Sequence, residues 1–162
     1  MRRIVLSLPI LAAALGFAPL GALADYDEGL RAYRIRDYTV ALREFKVAGE
    51  RGHAEAQYYL GNMYVRGMGV NQNDKEAMRW FSAAADQGNA ASQFNVGLML
   101  MEGRGQRKDL ERAYYWFILA ANGNAPDIAS LAAKNRDVVK SRLTPQQVED
   151  AEALVKIWRP RR

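Results

Sequence analysis

Residues 54–86 read AEAQYYLGNMYVRGMGVNQNDKEAMRWFSAAAD, and thirty-six positions further on residues 90–122 read AASQFNVGLMLMEGRGQRKDLERAYYWFILAAN. Aligned without a gap, the two share Ala54/Ala90, Gln57/Gln93, Gly61/Gly97, Met63/Met99, Gly67/Gly103 and Gly69/Gly105. Their second halves share Ala77/Ala113, Trp80/Trp116, Phe81/Phe117, Ala84/Ala120 and Ala85/Ala121. Every shared position is a small residue, a large apolar one or a glutamine, and none is a nucleophile. A period of this length built from packing residues marks a stacked solenoid. Solenoids work mainly by presenting an extended surface.

Glycines divide the repeat into helices. Ala54–Arg66 carries apolar side chains at Ala56, Tyr59, Leu60, Met63 and Tyr64, a helical stripe closed by Gly67. Asp74–Gln87 does the same with Ala77, Trp80, Phe81 and Ala84, closed by Gly88. Ala90–Glu102 and Leu110–Asn122 follow, closed by Gly103 and Gly123, with Asp109 as the N-cap of the latter. Upstream, Tyr26–Gly52 reads as a shorter third copy: Ala41, Phe45, Ala48 and Gly52 precede Ala77, Phe81, Ala84 and Gly88 by the same period. Downstream, a helix from Pro126 places Ile128, Leu131, Ala132, Val138 and Val139 on its apolar side. A last helix starts at Thr144-Pro145-Gln146-Gln147, a capping box with proline at the first helical position, and is predicted to bury Val148, Ala151, Leu154, Val155 and Trp158. No strand-like alternation occurs, so the expected fold is all-α: a superhelix of antiparallel helix hairpins with C-terminal capping helices.

The N-terminal stretch is of another kind. Arg2 and Arg3 precede an apolar run from Ile4 to Leu20, and Ala22-Leu23-Ala24 supplies small residues at the A-x-A positions. This is the pattern of a secretory signal peptide over residues 1–24, cleaved after Ala24; an uncleaved membrane anchor is the alternative. The expected location is periplasmic or secreted, and residues 25–162 are of a length for one domain. With no cysteine, stability must come from apolar packing. The net charge of +5 includes Arg2 and Arg3 and a late excess at Lys156, Arg159, Arg161 and Arg162, which reads as a solvated tail.

The pattern A-x-A-Q-x-x-L-G-x-M-Y-x-x-G-x-G-V, then A-x-x-W-F-x-x-A-A-x-x-G, stands nearly intact in Ala54–Gly88 and resembles the Sel1-like repeat, a relative of the tetratricopeptide repeat. The second copy departs from it at Leu100 and Gln106, and the first, at about 26–53, looks more like a tetratricopeptide unit. The segment from Arg136 to Trp158 resembles the C-terminal helix pair of short bacterial proteins of this kind. The resemblance implies two repeats at about 54–89 and 90–124, a helical cap over 125–162, and an adaptor role in envelope signalling, secretion or assembly.

Catalytic patterns are missing. His53 is the only histidine and is expected to be an exposed turn residue, so a multi-histidine metal site is excluded. No serine acyl-transfer signature occurs. The loops at Gly67-Met68-Gly69 and Gly103-Arg104-Gly105 lack the lysine and hydroxyl of a P-loop and read as turns. Arg104, Arg107 and Lys108 remain candidates for touching an anionic partner. In tetratricopeptide-like hairpins the first helix lines the groove, which places Tyr26, Leu30, Tyr33 and Arg34 there from the first unit. The second contributes Glu55, Tyr58, Asn62 and Arg66, and the third Phe94, Leu98 and Met101. Aromatics with asparagine and arginine suit a peptide or protein ligand. Tyr58 and Phe94 stand open to a core reading as well, whereas Asn62 and Arg66 belong at the surface because burying them unpaired is too costly.

The leading expectation is thus an exported, non-enzymatic, monomeric adaptor that binds a protein or peptide on its concave face, with no cofactor, metal or nucleic acid. Two alternatives are a cell-wall-related hydrolase or binding protein of β-lactamase-like type, and a structural envelope protein that meets anionic surfaces through its basic C-terminus.

Overall fold

The computed structural model describes residues 20–161, with side chains from Tyr26 onward. Eight helices follow one another: α1 (Leu20–Arg34), α2 (Tyr38–Glu50), α3 (Ala54–Arg66), α4 (Asp74–Asp86), α5 (Ala90–Glu102), α6 (Leu110–Ala121), α7 (Pro126–Lys140) and α8 (Pro145–Ile157). Among the described residues there is no strand. Helices α1 to α6 make three antiparallel hairpins, each packed on the next, while α7 and α8 both pack on α6. The expected signal peptide lies outside the described residues for residues 1–19, and its last turn coincides with the start of α1.

Helix boundaries repeat with the sequence. Asp37, Asn73 and Asp109 cap α2, α4 and α6 by accepting from backbone N–H groups one turn in. His53 and Asn89 cap α3 and α5 in the same way. Gly67 and Gly103 close α3 and α5 in the left-handed conformation, and Thr144 with Gln147 completes the capping box of α8.

Each hairpin closes where a phenylalanine ring packs directly on a glycine. A methyl placed on Gly29, Gly61 or Gly97 would lie 2.7, 2.5 and 2.7 Å from the rings of Phe45, Phe81 and Phe117 respectively. Those three rings are fully buried. Two further contacts then join hairpin to hairpin. The buried Gln57 and Gln93 donate through Nε2 to Gly49 O and Ala85 O of the preceding helix, at 2.9 and 3.2 Å. The loop glycines Gly69 and Gly105 sit with φ of 68° and 75° against the carbonyls of Tyr38 and Asp74, which open the second helix of the preceding hairpin. Trp80 is 4 % exposed and spans the first two hairpins, reaching within 3.2 Å of the Cβ position of Gly49.

The third loop adds a charged tie. Arg104 grips Asp74 with two bonds of 2.8 and 3.0 Å, so the arginine expected to be open to an anionic partner is already engaged. That guanidinium holds the Asp74 carboxyl below the usual aspartate range. The C-terminal tail is also not free. Arg161 donates its backbone N–H to Asp86 O at 2.8 Å and sets its guanidinium 3.0 Å from the Asp86 carboxylate, while Trp158 and Pro160 lie against Gly88.

The cap is looser than its periodicity suggested. Leu154 is 53 % exposed, and Leu131 and Val138 are 46 % and 48 % exposed; on α8 only Ala151 is fully buried. The reason is an end effect. No further hairpin stands beyond α7 and α8 among the described residues, so each buries one flank on α6 and leaves the other uncovered.

Two outcomes test this packing. Gly61→Ala forces a methyl into the Phe81 ring and should destabilise the domain by about 1–3 kcal/mol, seen as a lower urea midpoint at unchanged slope. Arg104→Ala should cost at most about 1 kcal/mol at neutral pH, because the pair is partly exposed. A carboxyl titrating lower in the folded state stabilises above its ordinary titration range and loses that contribution as pH falls. The gap between Arg104→Ala and wild type should therefore close below about pH 4.

Candidate functional site

The Phe–Gly contacts fix which positions correspond from hairpin to hairpin. With Gly29, Gly61 and Gly97 in register, Tyr26, Tyr58 and Phe94 are equivalent, as are Leu30, Asn62 and Leu98. Tyr33 and Met101 share a third position, and Arg34 and Arg66 a fourth. On α3 the inward face is Ala56, Gln57, Leu60, Gly61, Met63 and Tyr64; on α5 it is the same set thirty-six residues on, with Ala90 added. What remains outward on these first helices is one continuous face, along which every residue expected from sequence lies. Glu55, Arg66 and Arg34 are exposed, and Tyr26, Leu30, Tyr33, Tyr58, Asn62, Phe94, Leu98 and Met101 are half-buried.

Half-burial comes from ring packing behind the face. Tyr58 backs onto Phe81 at 6.1 Å between centroids, and Phe94 onto Phe117 at 5.8 Å, so each is anchored in the core and still presents an edge outward. Tyr33 meets Tyr59 edge-on at 5.1 Å, and Tyr59 stacks on Phe45 at 4.9 Å, which joins α1 to α3 across the face. The Tyr33 hydroxyl donates to the Met68 sulfur at 3.6 Å. Burial pushes the Tyr26 and Tyr33 phenols above their ordinary range, so both are neutral donors at physiological pH. Asn62 turns its amide back to Tyr58 O at 3.0 Å, leaving its carbonyl oxygen without a protein partner among the described residues.

Tyr59, Asn95 and Leu131 also belong to this face. Tyr59 and Asn95 are equivalent in the repeat, and Asn95 folds onto Ala91 O at 2.9 Å as Asn62 does onto Tyr58 O. Leu131 follows Asn95 by one further period, and α7 turns the corresponding side inward, with Ala132 buried one period after Val96. The repeat alignment carried this signal; the Tyr59 stripe assignment, one position off, obscured it.

His53 is not the exposed turn residue expected. Its side chain is 17 % exposed, its Nδ1 accepts from Ala56 N at 3.2 Å, and its ring stacks on Tyr26 at 4.3 Å. It is a structural cap that fixes α1 against the start of α3. A cleft of about 280 Å³, lined by none of these face residues, lies between Tyr115 and Trp116 of α6 and Ala151 and Leu154 of α8. Among the described residues, no group of three or more histidines and carboxylates is placed to hold a metal, and no helix is long and apolar enough to cross a membrane.

Comparison with known proteins bears on this arrangement. The Sel1 repeat family model matches residues 54–89 and 90–124. A protective antigen of uropathogenic Escherichia coli, whose crystal structure displays an SLR fold, superimposes with a TM-score of 0.77 over 85 % of this chain and 29 % of its own, at 28 % identity. A Sel1 repeat protein from Oxalobacter formigenes gives a TM-score of 0.61 over 66 % of this chain and 44 % of its own, at 30 % identity. The exopolysaccharide production negative regulator of Rhizobium meliloti is 37 % identical over 57 residues, 35 % of this chain and 21 % of that protein. The chain thus spans less than half the length of each of these relatives. The stacked hairpins form the right-handed superhelix of this fold, and Sel1 repeats as a class mediate protein–protein contact. Its motif, its register and its solved neighbours agree: the chain carries two Sel1 repeats, at residues 54–89 and 90–124.

Proposed function

We propose that this chain is an exported, non-enzymatic adaptor that holds a protein partner on the concave face formed by its first helices. The observation that carries the reading is the outward row of half-buried side chains, Tyr58, Phe94, Leu98 and Met101, rigidly backed by the core yet uncovered. Preorganised apolar and aromatic anchors of this kind lower the entropy cost of binding. The similarity to a regulator of exopolysaccharide production agrees with a place in envelope signalling. Export rests on the leader pattern. Cleavage after Ala24 would leave every described packing side chain of α1, from Tyr26 through Gly29 to Tyr33, in the mature protein.

Two experiments test the two halves of this proposal. A photo-crosslinking residue at Leu98 or Asn62, introduced in living cells, should yield partner adducts that the same residue at Arg43 or Arg112 does not. Equal adducts from both sets would overturn the concave-face reading. N-terminal sequencing of protein released from the bacterial periplasm should begin at Asp25, and recovery only of cytoplasmic chain starting at Met1 would overturn export.

A further inference from the structure

The concave face is not uniform in charge. Arg34 closes α1 and Arg66 closes α3, at equivalent positions of successive hairpins, and both are exposed. Neither makes an ion pair or side-chain hydrogen bond among the described residues, whereas most nearby arginines do: Arg31 pairs with Glu28, Arg43 with Glu44 and Arg79 with Glu76. The acids of the same face have local cationic or imidazole neighbours. Glu102 lies 3.7 Å from Arg104, Asp137 2.8 Å from Arg136, and Glu55 3.6 Å from the His53 ring. Asp27 is exposed, but sits two turns from Arg34 along α1, about 10 Å away.

A cation at a helix C-terminus is favoured by the helix dipole, which accounts for arginine at either site singly. It does not fill the five N–H donors of each guanidinium. Because α1 and α3 meet through Tyr33 and Tyr59 and the two arginines hold equivalent positions on them, both lie along the one face that a bound segment would cross. Beside them Asn62 offers an outward carbonyl oxygen, and from Phe94 onward the face turns apolar through Leu98 and Met101 to Leu131.

Resting on the concave-face reading, we infer that the partner is a polypeptide segment carrying acidic side chains beside apolar anchors. Its carboxylates meet Arg34 and Arg66 at the first two hairpins, and its apolar residues lie over Phe94, Leu98 and Met101. Charge complementarity sets the direction in which the segment crosses the stack, while apolar contact supplies most of the affinity.

The test uses the full chain and two fluorescein-labelled synthetic helical peptides with the same leucine-phenylalanine face, one preceded by paired glutamates and the other by paired lysines. The glutamate peptide should bind at least tenfold more tightly in fluorescence anisotropy, with the preference shrinking as salt rises. Arg34→Glu/Arg66→Glu should reverse the preference, and Arg34→Gln/Arg66→Gln should abolish it, with circular dichroism unchanged. No preference in the wild type, no binding of either peptide, or a preference untouched by charge reversal would overturn the inference. So would tighter binding of phosphatidylglycerol–phosphatidylcholine vesicles lost in the same variants, which would assign the arginines to a lipid surface. The two readings separate cleanly. Crosslinking at Leu98 that survives Arg34→Glu/Arg66→Glu leaves the groove standing and removes its acidic ligand, whereas partner binding that survives Leu98→Asp removes the groove itself.

Discussion

A phenylalanine ring packed directly against a bare glycine backbone sets the geometry on which everything else in this molecule depends. Phe45 on Gly29, Phe81 on Gly61 and Phe117 on Gly97 bring the two helices of each hairpin to a distance no larger residue permits. That spacing turns the next stripe of side chains toward the neighbouring hairpin, where Gln57 and Gln93 find a carbonyl and Gly69 and Gly105 find a helix start. The outward face is what is left after these contacts are satisfied. Its regularity is therefore a by-product of packing, and its chemistry is free to differ from unit to unit, as Asn62 against Leu98 and Arg66 against Glu102 show.

The buried glutamines illustrate why a scaffold tolerates polar groups inside. Gln57 and Gln93 lie in the interior, and each donates an amide proton to a carbonyl in the last turn of a helix, as a second donor beside the backbone N–H of Gly52 or Gly88. Gln87 adds a second link by donating to Gln57 Oε1 at 2.8 Å. A hydrophobic residue at Gln57 or Gln93 would fill the space but give up the bond that ties one hairpin to the next, so the residue type is set by hydrogen bonding as well as by volume.

Much of this was legible because it repeats. The glycine spacing located the helices, the aligned aromatics located the core, and the capping box at Thr144 located α8, since each depends on residues close together in the chain. What sequence missed lies in contacts between distant residues or at the ends of the stack. His53 becomes a half-buried cap only because Tyr26, twenty-seven residues earlier, lies on its ring. Arg104 is drawn to Asp74 across a hairpin junction. Leu131 and Leu154 sit on the apolar stripes of α7 and α8 but are about half exposed, with no neighbour among the described residues to cover them. For the first helices, the Phe–Gly contacts follow the register of the aligned glycines, while Tyr59 reads from sequence as part of the core stripe. A residue on the boundary of an amphipathic helix belongs to both sides, and here its ring packs inward on Phe45 and sideways on Tyr33.

The docking of Arg161 on Asp86 has a consequence for how the stack comes apart. A solenoid held only by nearest-neighbour contacts can fray from an end, one unit at a time, because each hairpin senses only the next. Here the chain leaves the third hairpin, passes through α7 and α8, and returns to the end of α4 in the second. The last elements cannot peel away without releasing Trp158 and Pro160 from Gly88. The tail thus converts a linear array into a closed circuit over the described C-terminal half, raising the cooperativity of the stack.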